Sequence, residues 1–364
     1  MTKENGWDQY GRYLQLEKLL DAQAPWSGDD KNPSAHDEML FIVFHQTYEL
    51  WFKQTLFELD DIQKRLSGAI VDDRDMQPII AHLERIVSIW RVLVSQIDIL
   101  ETMTPQGFID FRESLRTASG FQSLQFRLIE TRLGLPRDTR IPVFHGAFDR
   151  DLENKSQCAI ADAENQPSLF ESLDQWLART PFVDRADYKF WDSYKKAVHI
   201  MLDTKEQMAT QSLSGEALET ERAAITRGRR KFEGIFDASL HGRAQEEKLW
   251  RMSWKALQSA LFITIYRDEP VLQSPARLLG LVMDIDELIA RWRYRHALMV
   301  QRMMGLSMGT GGSSGYGYLM ETLDKHRIFT DLFALSTFLI PAHALPKLPE
   351  SVSRDMGYRY ATTS

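Results

Sequence analysis

Leu281-Val-Met-Asp-Ile285-Asp-Glu-Leu288-Ile289-Ala-Arg-Trp292-Arg-Tyr-Arg-His296-Ala-Leu-Met299-Val300-Gln-Arg-Met303 sets its apolar residues three and four positions apart, the spacing that paints one stripe along a helix. His296 falls inside that stripe. An imidazole there loses solvation and needs a partner for at least one ring nitrogen. Two partners suit it: a carbonyl or carboxylate, which would make it a satisfied core histidine, or a haem iron, since a helix-borne histidine between apolar walls suits a porphyrin face.

Working outward, the same period recurs along the chain, while β-branched runs are short and stretches of period two are few. An all-α fold follows, a large helical bundle. One helix is expected to start after Ser34, where Ser34-Ala-His-Asp37 has the form of a capping box, with an apolar face through Phe41, His45, Tyr48, Phe52, Leu56 and Leu59. Further helices are predicted at about 76–104, 106–116, 121–133, 167–179, 186–210, 215–238, 245–267, 275–304 and 316–337, punctuated by prolines such as Pro105, Pro136, Pro270 and Pro341. Residues 146–240 are more polar than their flanks and read as a smaller helical elaboration of one domain spanning 1–364.

Composition narrows the function classes. Of the 364 residues 43% are hydrophobic and 26% charged, the balance of a packed globular chain. The 51 acidic residues outnumber the 44 basic ones, and basic runs such as Arg227-Gly-Arg-Arg-Lys231 are short, so no nucleic-acid footprint is expected. A single cysteine, Cys158, permits no intrachain disulfide and no thiolate zinc site, which points to a reducing, cytoplasmic setting. The first residues lack the apolar core of a signal peptide, and no window approaches 18 consecutive apolar residues, so no membrane span is expected.

Several chemistries lack their signatures. No Glu-x-x-His occurs, which removes the usual di-iron bundle, and no His-Glu-x-x-His or dinucleotide fingerprint is present. Gly311-Gly-Ser-Ser-Gly315 has the letters of a nucleophile elbow but no preceding strand pattern. That glycine-rich loop, from Gly309, also lacks the lysine of a P-loop, though its N–H groups and Thr310 could hold small charged groups. His45 shares a face with Phe41 at i and i+4, which fits either a core or a pocket wall. Arg112, at the edge of the face formed by Phe108, Phe111 and Leu115, either snorkels to solvent or clamps a ligand carboxylate.

Taken together the motifs resemble the tryptophan 2,3-dioxygenase family, and its animal members more than its short bacterial ones. The resemblance is carried by Tyr10-Gly-Arg-Tyr13, by His36-Asp-Glu-Met-Leu-Phe41-Ile-Val-Phe-His45-Gln-Thr-Tyr-Glu-Leu-Trp-Phe-Lys53, and by Phe108-Ile-Asp-Phe-Arg112. It continues in Ala118-Ser-Gly-Phe-Gln-Ser-Leu-Gln-Phe-Arg127, Trp292-Arg-Tyr-Arg-His296, Gly309-Thr-Gly-Gly-Ser-Ser-Gly-Tyr316 and Asp331-Leu-Phe-Ala-Leu-Ser-Thr-Phe-Leu-Ile-Pro341. It implies haem b, with His296 as axial ligand and His45 as the distal histidine. It implies a substrate pocket of Tyr13, Phe41, Ile42, Val43, Phe44, His45, Arg112, Ser119 and Thr310, in which Arg112 meets the substrate carboxylate. The substrates implied are L-tryptophan and O2, and the assembly a homotetramer, a dimer of dimers, in which the segment 1–30 reaches a neighbour's site.

The sequence departs from the animal pattern at Phe44, where those members have Thr, at Thr117 in place of Pro, and at Arg295 in place of Asn. Phe44 keeps open an alternative, a related haem monooxygenase acting on a substituted tryptophan. A haem-based binding or sensing protein without turnover is the alternative from another class.

Overall fold

The computed structural model describes residues 6–28, 33–68, 70–115, 118, 120–141, 154–181, 188–305 and 315–357. Among them every regular element is helical: α1 (Gly6–Leu14), α2 (Leu16–Leu20), α3 (His36–Leu66), α4 (Asp73–Leu100), α5 (Pro105–Arg112), α6 (Leu124–Leu133), α7 (Asn154–Glu164) and α8 (Leu169–Leu177) come first. The order continues with α9 (Phe190–Ser212), α10 (Gly215–Phe236), α11 (Ala238–Glu246), α12 (Trp254–Ile265), α13 (Pro270–Met304), α14 (Gly315–Lys325), α15 (Thr330–Ala334) and α16 (Glu350–Asp355). The all-α expectation holds. The chain divides into two compact units, one of Met1–Phe57, Ile86–Gln166 and Glu287–Arg327, the other of Glu58–Arg85, Pro167–Asp286 and Ile328–Ser364.

Helix boundaries differ from the predicted ones where local chemistry outweighs periodicity. α3 begins at His36, one residue later than a cap at Ser34 implies. Its first turn is anchored instead by Glu38, whose carboxylate accepts the N–H groups of Trp26 and Ser27 at 2.7 and 2.9 Å and the Ser27 hydroxyl. The stretch 245–267, predicted as one helix, is broken: α11 ends at Glu246 and α12 begins at Trp254. Lys248 takes a left-handed φ of 57°, and Ser253 starts α12 afresh by accepting the Ala256 N–H. Conversely α13 starts at Pro270, where a proline at the first helical position costs no hydrogen bond, and runs on through Pro275 inside the helix.

In the first unit α3, α4, α5 and α13 enclose a core of Ile97, Leu100, Met103, Phe111, Met299 and Met303, against which Phe41, Phe44, Phe108 and Trp292 pack. A chain of rings, Tyr48, Phe52, Trp90, Phe126 and Trp292, runs through this unit with centroid separations of 5.2–6.4 Å. Trp90 and Phe111 have no exposed surface, so each contributes about 1.5–3 kcal/mol or more by burial.

An ionic cluster lies in the same unit. Glu130 on α6 accepts from Arg127 at 3.0 Å, from Arg293 on α13, and from Nδ1 of His326 at 3.1 Å. Nε2 of His326 accepts the Ile141 N–H at 3.3 Å, so its proton sits on Nδ1 and the ring is neutral. Two guanidiniums thus face one carboxylate. Burial alone would raise the Glu130 pKa, but Arg293, with His326 and Arg127, outweighs it and holds the carboxyl far below its ordinary range. Removing one member of such a buried set costs about 3–5 kcal/mol, so Glu130→Gln should destabilise the fold by that amount in denaturant titrations. A loss below about 1 kcal/mol would show that the cluster contributes little. The sign with pH follows. The folded pKa lies below the unfolded one, so this stability is full above the ordinary carboxylate range and is lost as pH falls toward the folded value.

The second unit pairs α9 with α10 and α8 with α12. Ser168 and Glu171 form a capping box at the start of α8, and the Ile235 carbonyl at the end of α10 accepts from Trp254 Nε1 at 2.7 Å and Gln258 Nε2 at 2.8 Å. The two bonds to Ile235 tie the first turns of α12 to the end of α10.

Candidate haem and substrate site

A cavity of about 270 Å3 lies wholly within the first unit, near the lower end of the roughly 300–1,000 Å3 typical of small-molecule sites. The period of 3.6 places Phe41, Phe44, His45, Tyr48, Glu49 and Phe52 of α3 on its wall, and the same period on α13 adds Trp292, His296, Met299, Val300 and Met303. α5 supplies Phe108 and Arg112, the latter from its last residue.

His296 is half-buried in the α13 stripe. Its ring lies parallel to Trp292, 2° apart with centroids 5.3 Å distant, which fixes the orientation in which it meets the cavity. Nδ1 is buried and has no hydrogen-bond partner. Burial, reinforced by the nearby His45 and Arg293, pushes its pKa down to about 4, so the ring is neutral at physiological pH. Of the two partners allowed by sequence, a carbonyl or carboxylate is therefore the one this ring does not have. Neutral imidazole is the form that binds metal.

The donor set also speaks to the kind of metal centre. No cluster of three His, Cys, Asp or Glu side chains suited to a metal occurs among the described residues. A bare ion needs several protein ligands, whereas haem iron brings four of its own and asks the protein for one axial histidine. His296 in an apolar cavity fits that demand.

His45 presents the complementary chemistry. Its Nδ1 donates to the Phe41 carbonyl one turn earlier, at 2.7 Å, and so carries the proton. Burial lowers its pKa, against smaller raising contributions from that carbonyl and from Glu49, so the ring is neutral and Nε2 is left as an acceptor. Phe41 packs on the imidazole with centroids 4.1 Å apart, and Phe44 sits 5.4 Å away at 71°. Phe44 fills space between His45 and Tyr48, 4.5 Å from the Tyr48 ring, and the Tyr48 hydroxyl is spent on the Leu93 carbonyl.

The structure brings Phe41, Phe44, His45, Arg112 and His296 to one cavity. Ile42 and Val43 lie on other faces of the same helical turn and are not among its lining residues; Val43 is 45% exposed. Tyr13 stands away from the cavity on α1, 86% exposed. Ser119, Thr310 and Thr117 lie outside the described residues. Arg295 points away from the cavity and pairs with Asp98 at 2.6 Å and Glu101 at 3.1 Å, so its departure from the animal pattern replaces an outer contact. Residues that sequence reasoning did not single out also line the cavity: Glu49, Arg127, Arg293 and Tyr318. Only the 3.6 period around His45 and His296 could have pointed to Glu49 and Arg293.

With this geometry in hand, similarity to known proteins is decisive for family. The sequence profile of the tryptophan 2,3-dioxygenase family matches residues 1–339. A protein of Bdellovibrio bacteriovorus named tryptophan 2,3-dioxygenase is 44% identical over 355 residues, covering 96% of this chain and 98% of its own. A match of that extent, over a cavity lined by both predicted histidines, means that the chain belongs to the tryptophan 2,3-dioxygenase family.

Proposed function

We propose that the protein is a haem-dependent tryptophan 2,3-dioxygenase that cleaves the C2–C3 bond of the L-tryptophan indole with O2, giving N-formylkynurenine with both oxygen atoms retained. The observation that carries this reading is the pairing, in one apolar cavity, of a neutral histidine whose buried Nδ1 has no hydrogen-bond partner and a second histidine whose tautomer is fixed. His296 would hold haem b, which when bound supplies the O2 chemistry.

The chain's own residues do the positioning. The Arg112 guanidinium is suited to a two-point contact with the amino-acid carboxylate. Phe41 offers an aromatic face for the indole, and Nε2 of His45 can accept the indole N–H. Apolar walls of Phe, Met and Val side chains keep water from the reacting ring and strengthen the polar contacts that remain. With one domain spanning the chain, a homotetrameric assembly and a cytoplasmic location complete the proposal. The exposure of Tyr10 at 64% and Tyr13 at 86% on α1 supports the first of these, since both would be covered on reaching a neighbouring subunit. The single cysteine suits a reducing compartment.

Mass spectrometry of the product formed under 18O2 tests the reading: two labelled atoms are expected in the product of L-tryptophan, and incorporation of one would favour a monooxygenase. A second measurement addresses His45. His45→Ala should retain its haem while kcat falls. A loss of about 2–10-fold fits one neutral hydrogen bond, and about 100-fold or more fits proton transfer. Unchanged kcat and KM would remove His45 from the site.

A further inference from the structure

One cavity wall has no part in the reaction as described. Glu49 lies one turn beyond His45 on α3 and is the acidic side chain among the described lining residues, which include Arg112, Arg127 and Arg293. Its carboxylate is firmly held. The Ser123 hydroxyl donates to Oε1 at 2.6 Å, and Gln125 Nε2 donates to Oε2 at 2.8 Å and to the Glu49 carbonyl at 2.7 Å. Ser123 in turn accepts the Phe126 N–H at 3.2 Å as the cap of α6, and it directly follows the Gly120–Gln122 turn, whose Gly120 lines the cavity. Glu49 therefore joins the helix that carries His45 to the turn that forms another part of the same wall.

An anchor alone needs no charge; a glutamine or serine network would serve. What singles out a carboxylate here is its neighbour. The charged or titratable groups lining the cavity around His45 are Tyr48 and Glu49 on α3, Arg112 on α5, Arg127 on α6, Arg293 and His296 on α13, and Tyr318 on α14. Arg127 and Arg293 are matched by Glu130, and Glu49 is the anion that faces His45: burial lowers the proton affinity of the imidazole, and this fixed carboxylate one turn away raises it. Two hydrogen bonds donated to its oxygens, from Ser123 and Gln125, keep that anion from swinging toward any of the arginines.

We propose that Glu49 is a positioning residue for the reaction, holding the Gly120–Gln122 turn to the His45 helix and keeping Nε2 of His45 a strong acceptor for the indole N–H. This rests on the tryptophan-cleaving function proposed above.

The test compares wild-type holoenzyme with Glu49→Gln and Gln125→Ala in two readouts: the pH profile of kcat/KM for L-tryptophan, and the pH dependence of equilibrium tryptophan binding followed by the Soret shift. Glu49→Gln keeps the size of the side chain and an oxygen for Ser123 but removes the charge. The acid limb of both profiles should move to lower pH by about one unit, because the imidazolium loses its stabilising anion. Gln125→Ala keeps the charge and loosens the tie. Its acid limb should stay in place while KM rises roughly fivefold, the loss of about one hydrogen bond.

An acid limb unmoved in Glu49→Gln, or a KM unchanged in Gln125→Ala, overturns the proposal. Should Glu49→Gln fail to fold, Glu49→Asp, with its charge withdrawn by one methylene, must move the limb in the same direction by less, and no movement overturns it equally. The wild type separates the two levels of inference: without turnover or Soret shift on adding tryptophan, the function itself fails and this proposal with it. With both present, the variants judge Glu49 alone.

Discussion

His296→Ala is expected to purify as a folded protein with little bound haem and without the Soret band of the wild type. The reasoning begins with the ring's isolation. Nδ1 makes no internal hydrogen bond, and the imidazole contributes to the protein mainly through its parallel packing on Trp292. Its removal leaves no partner unsatisfied and enlarges a cavity that already exists, so thermal stability of the haem-free chain should change by no more than a modest large-to-small substitution. Haem affinity, in contrast, would lose the protein–iron bond proposed for His296. Free imidazole added to the variant should restore part of the bound haem by filling the vacated position. Haem content measured as the pyridine haemochrome checks both statements, and a variant with full haem content and an unshifted Soret band would mean that another residue holds the iron.

The second large effect is expected at Arg112. Truncation to alanine should lower kcat/KM for L-tryptophan by about 30-fold to several thousand-fold, the equivalent of roughly 2–5 kcal/mol for a charge-assisted pair shielded from water. Tryptamine, which lacks the carboxylate, should suffer a comparable loss with the wild-type enzyme. It should lose little more with Arg112→Ala, because the two changes remove the same interaction and a double cycle exposes their coupling. Equal kcat/KM for tryptamine and L-tryptophan in the wild type would assign Arg112 another task.

Much of this was written in the chain, though unevenly. The apolar stripes holding His296 and His45 depend on neighbours three and four residues away, so the period of 3.6 exposes them directly. Arg112 was visible as a charge at the edge of such a stripe. Glu130, by contrast, is indistinguishable in sequence from a solvated helix residue, because its partners Arg293 and His326 are 163 and 196 positions away. Glu49 stayed hidden for the same reason, its donors being 74 and 76 positions downstream.

The break between α11 and α12 rests on a left-handed backbone at Lys248, a conformation that its residue type does not advertise. The stretch 316–337 reads as one periodic run, yet it stops at Lys325. Beyond it, His326 is taken by Glu130 and the Ile328 N–H by the Asp286 carboxylate, which outweigh helical continuation. Local pattern thus reveals which face is buried, while polar pairings between distant segments set where elements end and which charges are matched.

The bond from Nδ1 of His45 to the Phe41 carbonyl has a consequence for how this enzyme can vary and how it can be dissected. The acceptor is main chain, present whatever side chain stands at position 41, so the protonation pattern of the His45 imidazole is inherited from helical geometry itself. Replacing Phe41 can reshape the pocket without touching that pattern, and a scan of side chains around His45 would pass over its cause entirely. Exchange of the Ile42 peptide for an ester, which converts the Phe41 carbonyl into a poorer acceptor, is the chemical change that reaches it.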